Sequence, residues 1–203
     1  MRDEELLEAW RNGDQRAGRE LFDRYYELLR RFFVNKVSSE EALADLIQDT
    51  LTACLQGSDR YRGEASFQAY LYGIARNLLY RHWSKRRPDL DADAHSIIDL
   101  GAGPTTLLAR DERERRLLAA LRRVPLRYQE VLELYYWEEL KGGSLGEYLG
   151  VPEDTARTRL RAARQALGRE LRRMERFEGV PETTKDNLED WARRVRPPKA
   201  TGS

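Results

Sequence analysis

Residues 145–167 read Leu145-Gly-Glu-Tyr-Leu-Gly-Val-Pro-Glu-Asp-Thr-Ala-Arg-Thr-Arg-Leu-Arg-Ala-Ala-Arg-Gln-Ala-Leu167. A short helix ends near Leu149, the chain turns at Gly150-Val151-Pro152, and a longer helix opens at Glu153-Asp154-Thr155. This is the layout of a helix-turn-helix, in which a glycine lets the chain turn sharply between two packed helices. On the second helix Ala156, Leu160, Ala163, Leu167 and Leu171 recur at spacings of three and four, so that stripe is expected to face a core. Arg157, Arg161 and Arg164 fall beside it on an exposed flank, with Thr155, Thr158 and Arg159 adjacent. Arginines so placed fork onto guanine edges or phosphates in a major groove, although a charge run also serves simply to solvate a surface helix. Glu130, Glu133, Glu138 and Glu139 crowd the preceding helix while the last helix is overwhelmingly arginine, so the unit is expected to have a basic end.

Working outward, nearly every segment has apolar residues at helical spacing and none alternates like a strand. Helices are expected over Asp3–Trp10, Asp14–Val37, Ser39–Leu55 and Phe67–Arg87, then over Thr105–Val124, Tyr128–Trp137, Gly143–Leu149 and Glu153–Arg176. Gly142, Gly143 and Gly146 weaken the seventh, since each interior glycine costs about 1 kcal/mol relative to alanine. Between Pro88 and Pro104 the texture changes. Asp89, Asp91, Asp93 and Asp99 alternate with small residues, which reads as a flexible acidic linker. The fold class is therefore all-α, with two small helical domains at 1–88 and 106–176, a linker at 89–105 and a tail at 177–203. One short helix is expected in the tail, with Asp186 and Glu189 at capping-box spacing and Leu188, Trp191 and Val195 in a stripe.

Composition agrees with small helical units. Of 203 residues, 35% are charged and 40% hydrophobic, enough for compact cores beneath large solvated surfaces. The net charge of +1 leaves partners to be read segment by segment. Cys54 is the single cysteine, which rules out an intramolecular disulfide and suits a reducing cytoplasm. No apolar run approaches the ~18 residues of a membrane span, and no apolar stretch follows the acidic start. Neither membrane insertion nor export is expected.

Two further constellations lie in the first domain. Tyr61-Arg62-Gly63-Glu64-Ala65-Ser66-Phe67 joins a small-residue loop to aromatics, and Tyr70, Tyr72 and Trp83 follow. Arg76, Asn77, Arg81, Lys85, Arg86 and Arg87 add basic or polar groups. Aromatics interleaved with cations suit unpaired bases and their phosphates, whereas Phe67, Leu71, Ile74, Ala75 and Leu78 read as core. Asp45, Gln48 and Asp49 share one helix face at i, i+3 and i+4, with Leu46 and Ile47 turned inward. By chemistry alone that face is a polar surface. His82 and His95 are isolated, and there is neither a phosphate-cradling glycine loop nor a nucleophile elbow. No enzyme activity, metal or cofactor is therefore expected. The residues alone leave open a two-domain regulator that binds duplex DNA by itself, a helical nuclease using Asp45 and Asp49, and a protein-binding adaptor.

Four stretches in order carry a resemblance: Asp45-Leu-Ile-Gln-Asp-Thr-Leu51, Phe67-Gln-Ala-Tyr-Leu-Tyr-Gly-Ile-Ala-Arg-Asn77, Val124-Pro-Leu-Arg-Tyr-Gln-Glu-Val-Leu132 and Leu149-Gly-Val-Pro-Glu-Asp-Thr-Ala-Arg-Thr-Arg-Leu160. Together they resemble the extracytoplasmic-function (ECF) class of bacterial RNA polymerase sigma factors, over roughly Glu4 to Arg173. The resemblance implies a region-two-type bundle, a region-four-type helix-turn-helix domain, and core RNA polymerase and promoter DNA as partners. An anti-sigma factor or other regulator is a further candidate partner. Asp45, Gln48 and Asp49 would dock on the polymerase clamp. Tyr61 to Ser66 would receive a flipped minus-ten base, and Arg76, Asn77, Arg81, Lys85, Arg86 and Arg87 would hold neighbouring DNA. Thr155, Arg157, Thr158, Arg159, Arg161 and Arg164 would meet the minus-thirty-five element. The acidic linker would thread polymerase toward the RNA path. Ala162 departs from the family's frequent basic residue, and Arg161 stands one position earlier.

Overall fold

Short polar side chains start three helices of the first domain. Asp14 Oδ1 accepts from the N–H groups of Arg16 and Ala17 at 2.9 and 3.4 Å. Ser39 Oγ accepts from Ala42 N at 3.2 Å, and Ser66 Oγ from Ala69 N at 3.3 Å. Each such cap satisfies an N–H that the helix leaves without a partner and is worth about 1 kcal/mol. In a computed structural model, which describes residues 1–57, 61, 63, 65–101 and 112–178, the helices are α1 (Asp3–Arg11), α2 (Gln15–Val34), α3 (Glu40–Gln56), α4 (Phe67–Arg86), α5 (Glu112–Leu121), α6 (Leu126–Tyr136), α7 (Gly142–Leu149) and α8 (Glu153–Glu178). Among the described residues there is no strand, only a bridge between Ser96 and Pro125. The expected tail helix and the first turns of the expected helix from Thr105 lie outside them.

Apolar residues at helical spacing build one continuous buried cluster, with a core part in each domain. In the first, Leu21, Leu29 and Phe33 of α2 meet Leu43, Ile47 and Cys54 of α3 and Leu71, Leu79 and Trp83 of α4, all buried. Each fully buried leucine of this kind contributes roughly 1.5–3 kcal/mol. Asp3 ties α1 to α2 by pairing with Arg24 and accepting from Tyr25. In the second core, Leu117, Val131, Leu145, Leu149, Ala163 and Leu167 are buried together. The stripe of α8 faces inward as its spacing predicts.

Burial leaves Cys54 1% exposed and pushes its thiol up to about 12. Because the thiolate is the reactive species, native protein at pH 8 should resist maleimide labelling and become fully labelled in denaturant. Rapid native labelling would mean that the α3–α4 core opens readily.

One arrangement differs from the sequence reading, and a second answers what that reading left open. The linker is packed over its described residues, 89–101. Ala92, Ile97 and Leu100 are buried, Leu126 N donates to His95 O at 3.0 Å, and Ile98 N donates to Arg122 O at 3.4 Å. Three apolar residues scattered among aspartates do not form a helical or strand period, so composition concealed an anchored segment. The two domains also touch. The C-terminus of α2 enters the second domain, where Lys36 and Asn35 are wholly buried. Lys36 pairs with Glu133 of α6 and donates to Phe32 O at 2.5 Å. Arg122 donates to the Asn35 carbonyl oxygen at 2.7 Å, placing a cation on the negative end of α2. Nearby, Arg31 makes a two-pronged pair with Glu138 at 2.7 and 3.0 Å. Glu130 and Glu133, two of the carboxylates that crowd α6, are thus interior residues of an interdomain seam.

Candidate nucleic-acid interface

The α3 face is set by its buried side. Leu46, Ile47 and Thr50 anchor the helix, and Thr50 Oγ1 donates back to Leu46 O at 2.6 Å. Asp45, Gln48 and Asp49 therefore point outward and are exposed. Among the described residues no cation pairs with either carboxylate, and no group of three or more metal-type ligands occurs. The face is rigidly mounted, anionic and open.

The loop before α4 is partly described. Arg62 and Glu64 lie outside the described residues. Tyr61 is half-buried, with its ring 5.0 Å from that of Tyr70 and edge-on to Phe67 at 5.6 Å. Its hydroxyl lies 3.0 Å from the Ala65 carbonyl oxygen and 3.1 Å from a Glu4 carboxylate oxygen. Ala65 is half-buried and Ser66 exposed.

Along α4 the basic residues divide into two sets. Asn77, Arg81 and Lys85, each four residues from the next, form an exposed stripe, with Arg86 also exposed near the Trp83 ring. Arg76 and Arg87 turn away from it. Arg76 Nε donates to Glu130 Oε2 at 3.1 Å, its Nη2 lies 3.6 Å from Asp93, and its guanidinium stacks on Tyr80 at 4.9 Å. Arg87 pairs with Asp89 and donates to Asp99 O at 2.8 Å. His82 sits between the two sets, its pKa lowered by burial and by Arg86 and Lys85.

The helix-turn-helix owes its shape to two glycines. Gly150 caps α7 with φ +65°, a left-handed conformation that L side chains rarely adopt. Gly146 lies under the returning chain, whose Val151 N–H donates to Gly146 O at 3.0 Å. A β-carbon at 146 would stand 2.7 Å from Val151 O. This glycine is required by the close approach, despite its cost to helix propensity.

On α8, Thr155, Arg157, Thr158 and Arg161 are exposed, and Arg157 reaches back to Glu153 at 2.7 Å. Arg159 is half-buried. Arg164 is not on the open flank. Its guanidinium lies 4.8 Å from the Tyr135 ring, and its Nε donates to Tyr136 OH at 3.1 Å. At ~100° per residue, Arg164 sits nearer the buried stripe than Arg161 does, and α6 offers it two aromatic faces.

Sequence reasoning missed the buried polar set Asn35, Lys36, Arg122, Gln129, Glu130 and Glu133. The one local signal is the placement of Asn35-Lys36 directly after Phe32-Phe33-Val34, a polar pair continuing an apolar run. Their partners are roughly a hundred positions away, beyond any local pattern.

Comparison with known proteins agrees with this geometry. Residues 21–88 match Sigma-70 region 2 and residues 114–167 match Sigma-70 region 4, together more than half of the chain. The chain is 25% identical over 173 residues to the ECF RNA polymerase sigma factor SigW of Bacillus subtilis, covering 80% of this chain and 92% of that one. It is 26% identical over 181 residues to the RNA polymerase sigma-H factor of Pseudomonas aeruginosa, covering 83% and 93%. The fold is similar to that of CnrH, solved in complex with the cytosolic domain of CnrY, at TM-score 0.60, 21% identity and coverage of 83% and 96%. It is also similar to the sigma factor RpoE solved with the anti-sigma factor NepR from Bartonella quintana, at TM-score 0.57, 20% identity and coverage of 76% and 96%. With both regions present in order on an all-helical scaffold, this chain belongs to the ECF RNA polymerase sigma factors.

Proposed function

We infer that the chain binds core RNA polymerase and directs it to a two-element promoter, with each element read by one domain. One observation carries the residue-level reading: two separate faces, each mounted over its own core, are exposed in the same chain. The α3 face of Asp45, Gln48 and Asp49 is anionic and suits a basic docking surface on polymerase. The α8 face of Thr155, Arg157, Thr158 and Arg161 suits a major groove, with arginine reaching guanine edges or phosphates. Arg164, tied to Tyr135 and Tyr136, is left out of that set. Arg81, Lys85 and Arg86 supply cations, and Asn77 a neutral amide donor, for the backbone of the minus-ten strand, and Tyr61 to Ser66 supplies the base-capturing loop. Polymerase performs the chemistry, and strand opening draws on binding energy to captured bases. Such a protein works where polymerase does, in the cytoplasm, and no described helix is long and apolar enough to cross a membrane. A regulator that clasps the two domains, as an anti-sigma factor does, is the further partner proposed.

The experiment is transcription in vitro from a genomic promoter library by purified core polymerase, with and without this protein. New transcripts sharing two spaced elements are expected. Their absence, with no binding to core, would favour a regulator acting on duplex DNA alone. In the same assay, Asp45→Ala combined with Gln48→Ala should weaken polymerase binding about ten- to a hundredfold, the scale of losing one or two charge-assisted hydrogen bonds. Thermal stability should stay unchanged, because both side chains are solvated. Undiminished affinity would remove this face from the docking surface.

A further inference from the structure

Arg157 and Arg161, the two exposed arginines of the α8 face, are not equivalent. Arg157 Nη2 donates to Glu153 Oε1 at 2.7 Å, and its Nη1 lies 4.0 Å from Asp154 Oδ1, so the guanidinium is drawn back along the first turn of α8. A glutamate four residues before its cation is the favourable order for such a pair. That bond uses one of the five guanidinium N–H groups and leaves the others for a base. Arg161 stands one turn further on, exposed, and among the described residues no carboxylate pairs with it. The Arg157 side chain is 72% exposed, so its pair with Glu153 is wetted and adds little to stability. What the pair supplies is direction.

Glu153 is in turn held from α7. That helix begins at Gly142, and its N-cap residue Lys141 gives the first turn no side-chain acceptor. The Glu153 carboxylate lies over this turn. A β-carbon at Gly142 would touch Oε1 at 3.4 Å, and one at Gly143 would touch Oε2 at 3.8 Å. Two consecutive glycines thus leave the carboxylate room beside the first N–H groups of α7. The start of a helix carries partial positive charge, so α7 and Arg157 both attract the same carboxylate. The restraint runs across the turn of the helix-turn-helix, from α7 to Glu153 and from Glu153 to Arg157.

We propose that Glu153 is a positioning residue for promoter recognition, holding Arg157 ready to read a guanine of the minus-thirty-five element, while the unrestrained Arg161 serves a phosphate. The inference rests on the sigma-factor reading and assigns base discrimination within it. An arginine fork selects guanine when two of its donors meet O6 and N7 together. Fixing the long side chain beforehand removes an ordering cost from that encounter. A phosphate carries no sequence information, so Arg161 adds affinity alike for every sequence.

The test is made on holoenzyme, core polymerase carrying the full chain, with a promoter taken from the library transcripts and randomised across its upstream element. Sequencing the transcripts gives the preference at each position. Arg157→Ala should erase a guanine preference at one position. Glu153→Gln should weaken the preference at that position about twofold to tenfold, the ordering cost of one long side chain. Arg161→Ala should lower transcription alike for all sequences. Asp154→Asn removes a neighbouring carboxylate that stands 4.0 Å from Arg157 instead of 2.7 Å, and the preference should survive it. Because Glu153 acts through Arg157, Glu153→Gln should add nothing in the Arg157→Ala background. A further loss there would mean that Glu153 touches DNA itself and would overturn the proposal. So would an equal loss from Asp154→Asn, or a guanine preference that follows Arg161 instead of Arg157. Promoter-dependent transcripts from wild type, with an unchanged profile for Glu153→Gln, would sink this inference alone. No such transcripts from wild type would sink the sigma-factor reading and this inference with it.

Discussion

Lys36→Met should shift the free protein strongly toward separated domains. The Lys36 ammonium is wholly buried, pairs with Glu133 and stacks on Phe32 at 4.3 Å. Methionine preserves most of the apolar stem and removes the charge, which strands the Glu133 carboxylate in the interior. Breaking a buried pair in this way costs roughly 3–5 kcal/mol, or about two to four orders of magnitude in the ratio of open to closed protein. Because the pair crosses the seam, the cost falls on closure, and each domain retains its own core. Burial raises the Glu133 pKa above the usual carboxylate range, and Lys36 is the main influence pulling it down. Without Lys36 the closed form binds a proton at Glu133 more tightly than the open form does. Closure in the variant is then favoured below that raised value and lost as pH rises through it. Scattering profiles from pH 8 down to pH 5 should show the variant compacting on acidification. A variant as compact as wild type at pH 8 would show that this pair contributes nothing to the seam.

Gly146→Ala should damage the second domain more than any other single methyl in α7. Its β-carbon would lie 2.7 Å from Val151 O and 3.2 Å from Glu153 N. These are backbone atoms of the turn and the first turn of α8, and they cannot swing aside as a side chain can. Relief requires α7 and α8 to move apart, an overpacking cost of about 1–3 kcal/mol against a helix-propensity gain of about 0.5–1 kcal/mol. The net cost is up to about 2.5 kcal/mol, and a small domain loses roughly 4–8 °C per kcal/mol, so melting should fall by up to about 20 °C. Binding to a duplex carrying the minus-thirty-five element should weaken at least about tenfold, the equivalent of 1.4 kcal/mol. Gly143→Ala is the control, since its β-carbon would meet only the end of the Glu153 side chain at 3.8 Å. Equal melting of the two variants would refute the close-approach argument.

The same two residues mark what could be read in the sequence and what could not. The stripe Ala156, Leu160, Ala163, Leu167 was legible because a helix repeats its environment every three to four residues. Asp45, Gln48 and Asp49 were legible as an exposed face for the same reason. The need for Gly146 was not, because glycine in a helix looks like a propensity cost until the returning chain is seen above it. The burial of Glu130 and Glu133 was not legible, since no local pattern marks it. Their partners Arg76 and Lys36 belong to the other domain. Arg164 was misjudged by less than one helical step, the difference between solvent and the rings of Tyr135 and Tyr136.

Between the charged pairs the seam also holds a strip of oil. Leu28, Phe32 and Tyr72 of the first domain face Leu134 and Trp137 of the second, all nearly inaccessible to water, and the Tyr72 and Tyr148 rings lie 5.7 Å apart. Parting the domains bares both halves of that strip at once, on a chain whose net charge of +1 offers little mutual repulsion. Colloidal behaviour is therefore tied to conformation. The closed protein is the form that tolerates high concentration, and an open molecule with nothing on its newly wetted surface tends to stick to its own kind.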